Sequence, residues 1–183
     1  MELLTERLRL RSCREEDLKP LAAAIAAPAV SDWLCNLPQP YTLANAREFM
    51  QRTAAPEAGW EGIIALRDSD ALVGGVRLTM ATAPGEPETP HGDAQPREAD
   101  LGFWVARRHW GRRYATEAAS ALLAWGFREL ALKRIITSTL AGNRASQAVL
   151  RRLGFRYVGM RLAATGACDE RRVPHYLLER PNI

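Results

Sequence analysis

Apolar and polar positions alternate from Thr5 to Ser12, with Leu8 and Leu10 on one face and Arg7, Arg9 and Arg11 on the other, as in a half-buried strand. Ser12 or Cys13 then opens a helix over about 14–27, whose first turn carries Glu15, Glu16 and Asp17, where the positive end of the helix dipole favours negative charge. Pro28, Pro38 and Pro40 mark a loop that contains Trp33 and Leu37. Thr42 reads as the N-cap of a second helix over about 43–54, closed before Pro56. Two strands follow near 60–67 and 71–80, joined by the polar turn Asp68-Ser69-Asp70. Residues 82–97 hold four prolines and two glycines and almost nothing apolar, so they form a long exposed loop rather than a domain boundary. A central strand over about 98–106 runs into Arg107-Arg108-His109-Trp110-Gly111-Arg112-Arg113, and a helix over 114–130 follows, with Ala118, Leu122, Trp125 and Leu130 near one face. Next come a strand (133–140), a helix (143–153) closed by Gly154, and strands near 155–164 and 171–178. The order β-α-α-β-β-β-α-β-α-β-β predicts an α/β fold with a partly antiparallel sheet and disfavours a doubly wound nucleotide fold.

Composition narrows the class. The 183 residues suit one domain, 1–183, and 47% hydrophobic with 25% charged residues excludes a disordered or fibrous chain. The formal net charge of +4 hides a split: residues 1–100 carry 10 basic against 16 acidic side chains, −6, and residues 101–183 carry 15 against 5, +10. Such a split points to an anionic ligand handled by one half. All the basic residues except Lys19 and Lys133 are arginines, whose planar forks suit phosphates; an Arg-rich codon bias accounts for the excess equally well. Cys13, Cys35 and Cys168 show no CxxC spacing, so neither a disulfide framework nor a zinc cage is expected, and a reducing cytoplasm is the natural compartment. The longest apolar stretch, 21–30, is far below the roughly 20 residues that span a bilayer, and the start lacks the basic region of a signal peptide. A soluble cytoplasmic protein with no membrane partner is expected.

The segment 107–113 is the first candidate site. Its four arginines surround Gly111 between a strand and a helix, and a helix N-terminus offers unpaired N–H groups and a positive dipole end that hold a pyrophosphate. Gly111 lets the backbone approach closely and the arginines add charge-assisted bonds. A solvated basic loop would show the same pattern. A second basic group, Arg144, Arg151, Arg152 and Arg156, reads either as a solvated helix face or as a contact for a further phosphate or RNA. No GxSxG, Walker, GxGxxG or HExxH pattern occurs, and His91, His109 and His175 have no second metal ligand at useful spacing, so no metal is expected. The arginines flank strand-to-helix junctions rather than forming a stripe interleaved with aromatics, which makes nucleic acid an unfavoured partner.

Four segments together resemble the GCN5-related N-acetyltransferases: 101–105 (Leu-Gly-Phe-Trp-Val), 110–118 (Trp-Gly-Arg-Arg-Tyr-Ala-Thr-Glu-Ala), 143–146 (Asn-Arg-Ala-Ser) and 153–155 (Leu-Gly-Phe). Residues 7–11, 37–42 and 176–180 extend the resemblance to the branch that modifies the N-termini of ribosomal proteins. It implies a single domain with a mixed, mostly antiparallel sheet of about seven strands, about four helices and a splayed parallel pair, 98–106 with 133–140. It also implies acetyl-CoA as co-substrate. Arg108, Gly111, Arg112, Arg113, Tyr114, Ala115 and Thr116 would wrap the pyrophosphate, Phe103, Trp104 and Val105 would pair with the pantetheine arm, and Asn143 and Ser146 would approach it from the other side. The family's loop usually has Gly or Ala where this chain has Arg113, so a φ above zero there would strain the residue by ~1 kcal/mol.

Acetyl transfer to an amine needs an uncharged amine, a donor for the developing oxyanion and a proton for the leaving thiolate. Asp100 and Glu98 share one strand face; Asp100, directly before Leu101-Gly102, is the first choice of base and Glu98 the second, although a solvated carboxylate at a strand start fits either position. The broader family often places a tyrosine where this chain has Leu150, which turns attention to Ser146, itself an ordinary first-turn residue type. Trp33, with Asp100, falls where the family lines its acceptor site. The expected acceptor is a primary amine, a protein N-terminus by direct transfer or alternatively a small amine such as an antibiotic or polyamine; a non-catalytic acyl-CoA sensor would share the same residues. A homodimer is compatible with the sequence.

Overall fold

Leu8 and Leu10 are fully buried in β2 (Leu8–Arg11), as their alternation requires, and β2 sits near one side of an eight-stranded sheet. This is a computed structural model describing residues 2–35, 37–54, 59–81, 97–162 and 171–181. The remaining strands are β1 (Leu3–Leu4), β3 (Gly59–Leu66), β4 (Leu72–Met80), β5 (Glu98–Val105), β6 (Arg134–Ser138), β7 (Arg156–Leu162) and β8 (Arg172–Glu179). Their order across the sheet is β1-β2-β3-β4-β5-β6-β8-β7, and every pair is antiparallel except β5 with β6. The sheet has one strand more than expected because the two-residue β1 is too short to show a period. The loop expected over 82–97, with His91, and Cys168 fall almost wholly outside the described residues.

Among the described residues five helices cover the two faces: α1 (Leu18–Ala26), α2 (Pro28–Ser31), α3 (Leu43–Ala54), α4 (Tyr114–Glu129) and α5 (Arg144–Arg152). Helix α2 lies where the sequence suggested loop; Pro28 occupies its first position, where the ring's fixed φ suits a helix start. Ala118, Ala119 and Leu122 of α4 and Leu150 of α5 pack on Leu10, Ile64, Leu78, Leu101 and Ile135 to form one core. Leu18, Leu21 and Ile25 of α1 and Phe49 of α3 pack on Ile63, Ala65 and Leu72 to form a second core. Each fully buried Leu or Ile contributes about 1.5–3 kcal/mol. The chain therefore carries α4 and α1–α3 on opposite sheet faces, and side chains of β5 alternate between them.

Arg11 departs from the outward face predicted for it. It is 2% exposed, and its guanidinium grips both oxygens of buried Asp17 at 2.6 and 3.0 Å and Asp70 Oδ1 at 3.0 Å. Asp17 also accepts the Arg14 N–H at 2.8 Å, tying the entry to α1 onto β2. Cys13 is a buried free thiol, pushed up to about 12 by burial. Cys35 is disulfide-bonded, contrary to the expectation from spacing, since pairing follows proximity in space.

Candidate active site

Pairing between β5 and β6 stops at Asp100 and Ile136, although β5 continues to Val105 and β6 to Ser138. Thr137 bridges the start of the gap by donating its hydroxyl to the Leu101 carbonyl at 2.7 Å. The Ala106 N–H donates to Val73 and the Ala81 N–H to the Glu98 carbonyl, so even-numbered residues of β5 turn their backbone groups toward β4 and odd-numbered residues turn theirs toward the gap. Phe103 and Val105 thus present N–H groups to the gap, while the Val105 carbonyl accepts from Trp110 Nε1 at 2.6 Å. The backbone of Trp104 faces β4, and its indole packs over Gly75 toward the second core. Of the three consecutive residues expected along the arm, strand alternation offers the backbone of Phe103 and Val105.

At the C-terminal end of β5 the chain makes one 3₁₀ turn, Arg107–His109. Gly111 and Arg113 then take left-handed backbone, φ 77° and 63°, and α4 begins. Nothing lies within 4 Å of a Cβ built on Gly111, so glycine is required there for conformation rather than space. Arg113 holds the left-handed region despite its Cβ, at a cost of ~1 kcal/mol. No side chain caps α4, and the N–H groups of its first turn, Tyr114, Ala115 and Thr116, lack intrahelical acceptors. Thr116 Oγ1 in the same turn is buried without a partner. Arg112 and Arg113 are exposed beside it. Arg108 braces the turn: it donates to the Leu72 carbonyl and to His109 Nε2, each at 3.0 Å. Burial, with Arg108 and Arg112 nearby, holds His109 below its ordinary range. An uncapped helix start, an unpartnered hydroxyl and exposed guanidiniums together fit a pyrophosphate.

The start of α4 is itself pinned. Glu117 accepts from Thr5 Oγ1 at 2.6 Å, from the Arg7 N–H at 2.9 Å and from Arg7 Nε at 2.8 Å, and the Arg7 guanidinium lies 4.9 Å from the centre of the Tyr114 ring. Sequence reasoning left Thr5 and Glu117 without a role, because their contact spans more than a hundred residues and has no local signature.

Asp100 lies at the closed end of the gap, five residues before Val105, or about 16 Å along an extended strand. Its side chain is on the α1–α3 face with Gly102 and Trp104. Arg77 Nη2 donates to Asp100 Oδ1 at 2.8 Å. Burial pushes the Asp100 carboxyl up, and Arg77 pulls it back in part. Glu98, two residues farther from the gap, is ion-paired with Arg134 on the adjoining strand. On the other side of the gap, Asn143 Oδ1 accepts the Ser146 N–H at 3.0 Å and caps α5, which leaves the asparagine's amide NH₂ for other partners. The Ser146 hydroxyl makes no hydrogen bond among the described residues. Trp33 reaches the same turn, its ring 3.7 Å from where a Cβ on Gly142 would stand. Tyr176 is buried and meets Tyr157 edge-on, as packed strand tyrosines do. Arg144, Arg151 and Arg152 are exposed along α5, and Arg156 reaches Glu179 at 3.5 Å. No group of three His, Cys, Asp or Glu able to hold a metal occurs among the described residues, and no helix among them is long and apolar enough to cross a membrane.

Residues 7–156 match the model of the acetyltransferase (GNAT) domain family. Over 163 residues the chain is 29% identical to p20 of Bacillus licheniformis, an uncharacterized N-acetyltransferase, covering 86% of this chain and 84% of that protein. Among solved structures, RimL, a ribosomal L7/L12 alpha-N-protein acetyltransferase in complex with coenzyme A, superposes with a TM-score of 0.75 at 19% identity, covering 97% of this chain and 96% of that one. Spermidine N-acetyltransferase from Vibrio cholerae, in complex with CoA and spermine, does so with a TM-score of 0.74 at 16% identity, covering 96% of each chain. At these identities the two structures share the fold.

Proposed function

The chain belongs to the acetyltransferase (GNAT) domain family, and from that membership we propose that it moves the acetyl group of acetyl-CoA directly to the α-amine of a protein N-terminus, as ribosomal-protein acetyltransferases do. The observation that carries the reading is the open edge of β5, which runs between the uncapped start of α4 and the carboxylate of Asp100.

When bound, acetyl-CoA supplies a thioester whose carbonyl carbon bonds to the amine nitrogen as the C–S bond breaks. Gly111, Arg112, Arg113 and the first-turn N–H groups of Tyr114, Ala115 and Thr116 hold the pyrophosphate by backbone donation and charge. The N–H groups of Phe103 and Val105 hold the arm in line with the sheet, and the amide NH₂ of Asn143 meets it from α5. Asp100 takes the proton that the acceptor ammonium must lose before it can attack. The Ser146 hydroxyl gives its proton to the leaving sulfur and regains one from the nitrogen, which loses its second proton as the amide forms. Trp33 covers the acceptor end and excludes water.

A small-amine acceptor is the second reading, favoured by the fold shared with an enzyme named for spermidine. Calorimetry with acetyl-CoA, followed by free-thiol assays against N-terminal peptides and small amines, tests both. Saturable binding and turnover that prefers peptides is expected. Preference for small amines overturns the acceptor, binding without any turnover identifies a non-catalytic acyl-CoA sensor, and no binding overturns the donor as well.

A further inference from the structure

Arg77 is a charged side chain of β4 that donor binding does not use. It stands opposite Gly102 across the β4–β5 pair, and a Cβ on Gly102 would lie 2.6 Å from Arg77 Nε, so the guanidinium crosses β5 only over glycine. There Nη2 donates to Asp100 Oδ1 at 2.8 Å and Nη1 approaches Thr79 Oγ1 at 3.4 Å. The two side chains remain 37% and 32% exposed. A guanidinium carries five N–H donors, so the fork keeps free donors after these contacts. Asp100 Oδ2 has no hydrogen-bond partner among the described residues. The surface offered beside the end of the gap is therefore a carboxylate oxygen next to a guanidinium N–H, with no net charge.

That pairing matches a particular acceptor. An α-aminoacyl group carries an ammonium and a carbonyl oxygen on adjacent carbons, one to face each member of the pair. A polyamine carries no carbonyl, and its further ammonium groups need further carboxylates. The other acids on this stretch of sheet are already engaged: Glu61, opposite Arg77 on β3, pairs with Arg52 at 3.5 Å, and Glu98 pairs with Arg134. A second ammonium would meet the Arg77 cation instead.

We propose that Arg77 is a specificity-determining residue that, with Asp100, reads an α-aminoacyl acceptor, Asp100 Oδ2 taking the ammonium and an Arg77 N–H donating to the neighbouring carbonyl oxygen. This deepens the reading of the acceptor given above and rests on it. The experiment compares the wild type with Arg77→Gln and Arg77→Lys, using an N-terminal peptide, spermidine and a simple alkylamine, with acetyl-CoA affinity and thermal unfolding as checks on the fold. Arg77→Gln is expected to lower kcat/KM for the peptide about tenfold more than for the alkylamine, through KM, as loss of one charge-assisted hydrogen bond requires. It should narrow the preference for peptide over spermidine by a similar factor, with partial recovery in Arg77→Lys. Equal losses for peptide and alkylamine, or an unchanged peptide-to-spermidine ratio, overturn the role of Arg77 while leaving the acceptor reading in place. A wild type that prefers spermidine overturns the acceptor reading itself, and the proposal with it. Calorimetry of an alanine-amide probe with the CoA-loaded protein gives the same comparison without turnover: about tenfold weaker binding to Arg77→Gln supports the proposal, and equal affinity or no binding to the wild type overturns it.

Discussion

Asp100 is subject to two opposed influences. Its burial favours the protonated acid, and the Arg77 guanidinium 2.8 Å away favours the carboxylate, with burial prevailing. A base must be ionised to act, so the acidic limb of the pH–rate profile should lie above the ordinary carboxylate value of 3.8. Removing Arg77 removes the influence that lowers the value, and the limb should move to higher pH in Arg77→Gln. Asp100→Asn should abolish the limb and lower turnover by about 10²–10⁴-fold at constant acetyl-CoA affinity. A limb that stays in place in Asp100→Asn would return the proton to water. At this scale the sequence was readable where backbone geometry dictates the residue and opaque where a partner comes from another strand. Gly111 follows from a strand, a basic loop and a helix in succession, and the strain at Arg113 follows from the glycine or alanine that the resembled family usually has there. The hold of Arg77 on Asp100 depends on Gly102 lying opposite Arg77 in register, which only strand pairing reveals.

Helix α4 begins at the turn proposed to hold the donor, and its placement depends on Glu117 more than on any capping residue. One carboxylate there receives Thr5 and both backbone and side-chain nitrogens of Arg7, fastening the start of α4 to the chain between β1 and β2. Glu117→Ala should cost about 1–3 kcal/mol of stability, as loss of charged hydrogen-bond partners does, and should weaken acetyl-CoA binding by letting the first turn shift. Chemical denaturation alongside calorimetry measures both, and unchanged cofactor affinity would show that the fastening serves stability alone. The long elements announce themselves through periodicity: Ala118, Leu122 and Trp125 along α4, with Leu130 at its end, and the alternation in β2 leave few alternatives. Short elements do not. β1 has two residues, and the helix beginning at Pro28 is embedded among turn-forming residues, so both were invisible to pattern.

Across the whole molecule, the charge split takes on physical form. The basic half supplies the loop of Gly111 to Arg113 and the exposed arginines of α5, while the acidic half supplies partners that arginines occupy: Asp17 and Asp70 at Arg11, Glu61 at Arg52, Asp100 at Arg77. Titration should register this pairing. Asp70 and Glu117 are held below their ordinary values of 3.8 and 4.5, where burial is outweighed by Arg11 for Asp70 and by Thr5 and Arg7 for Glu117. Burial holds His109 and His175 below 6.5. Groups depressed in the folded state favour it above their unfolded values and withdraw that support as pH falls through their folded ones. Asp100, raised by burial, acts in the opposite sense. The thermal midpoint should therefore begin to fall below pH 6.5 and drop further below 4.5, and a midpoint that rises on acidification would contradict these assignments.

The sheet that joins the two halves ends its central pairing at Asp100 and Ile136, and so withholds a hydrogen-bonding neighbour from Phe103 and Val105 in the middle of an otherwise continuous ladder. A ligand arm with amide groups of its own would complete that ladder as an extra strand would. Amide exchange offers a direct view of the completion. The N–H groups of Phe103 and Val105 should exchange rapidly with solvent deuterium in the free protein and slow sharply when CoA is added, while those of Gly102 and Trp104, already bonded to β4, change little. The odd-even contrast along a single strand would make the enzyme's sheet a reporter of its own occupancy.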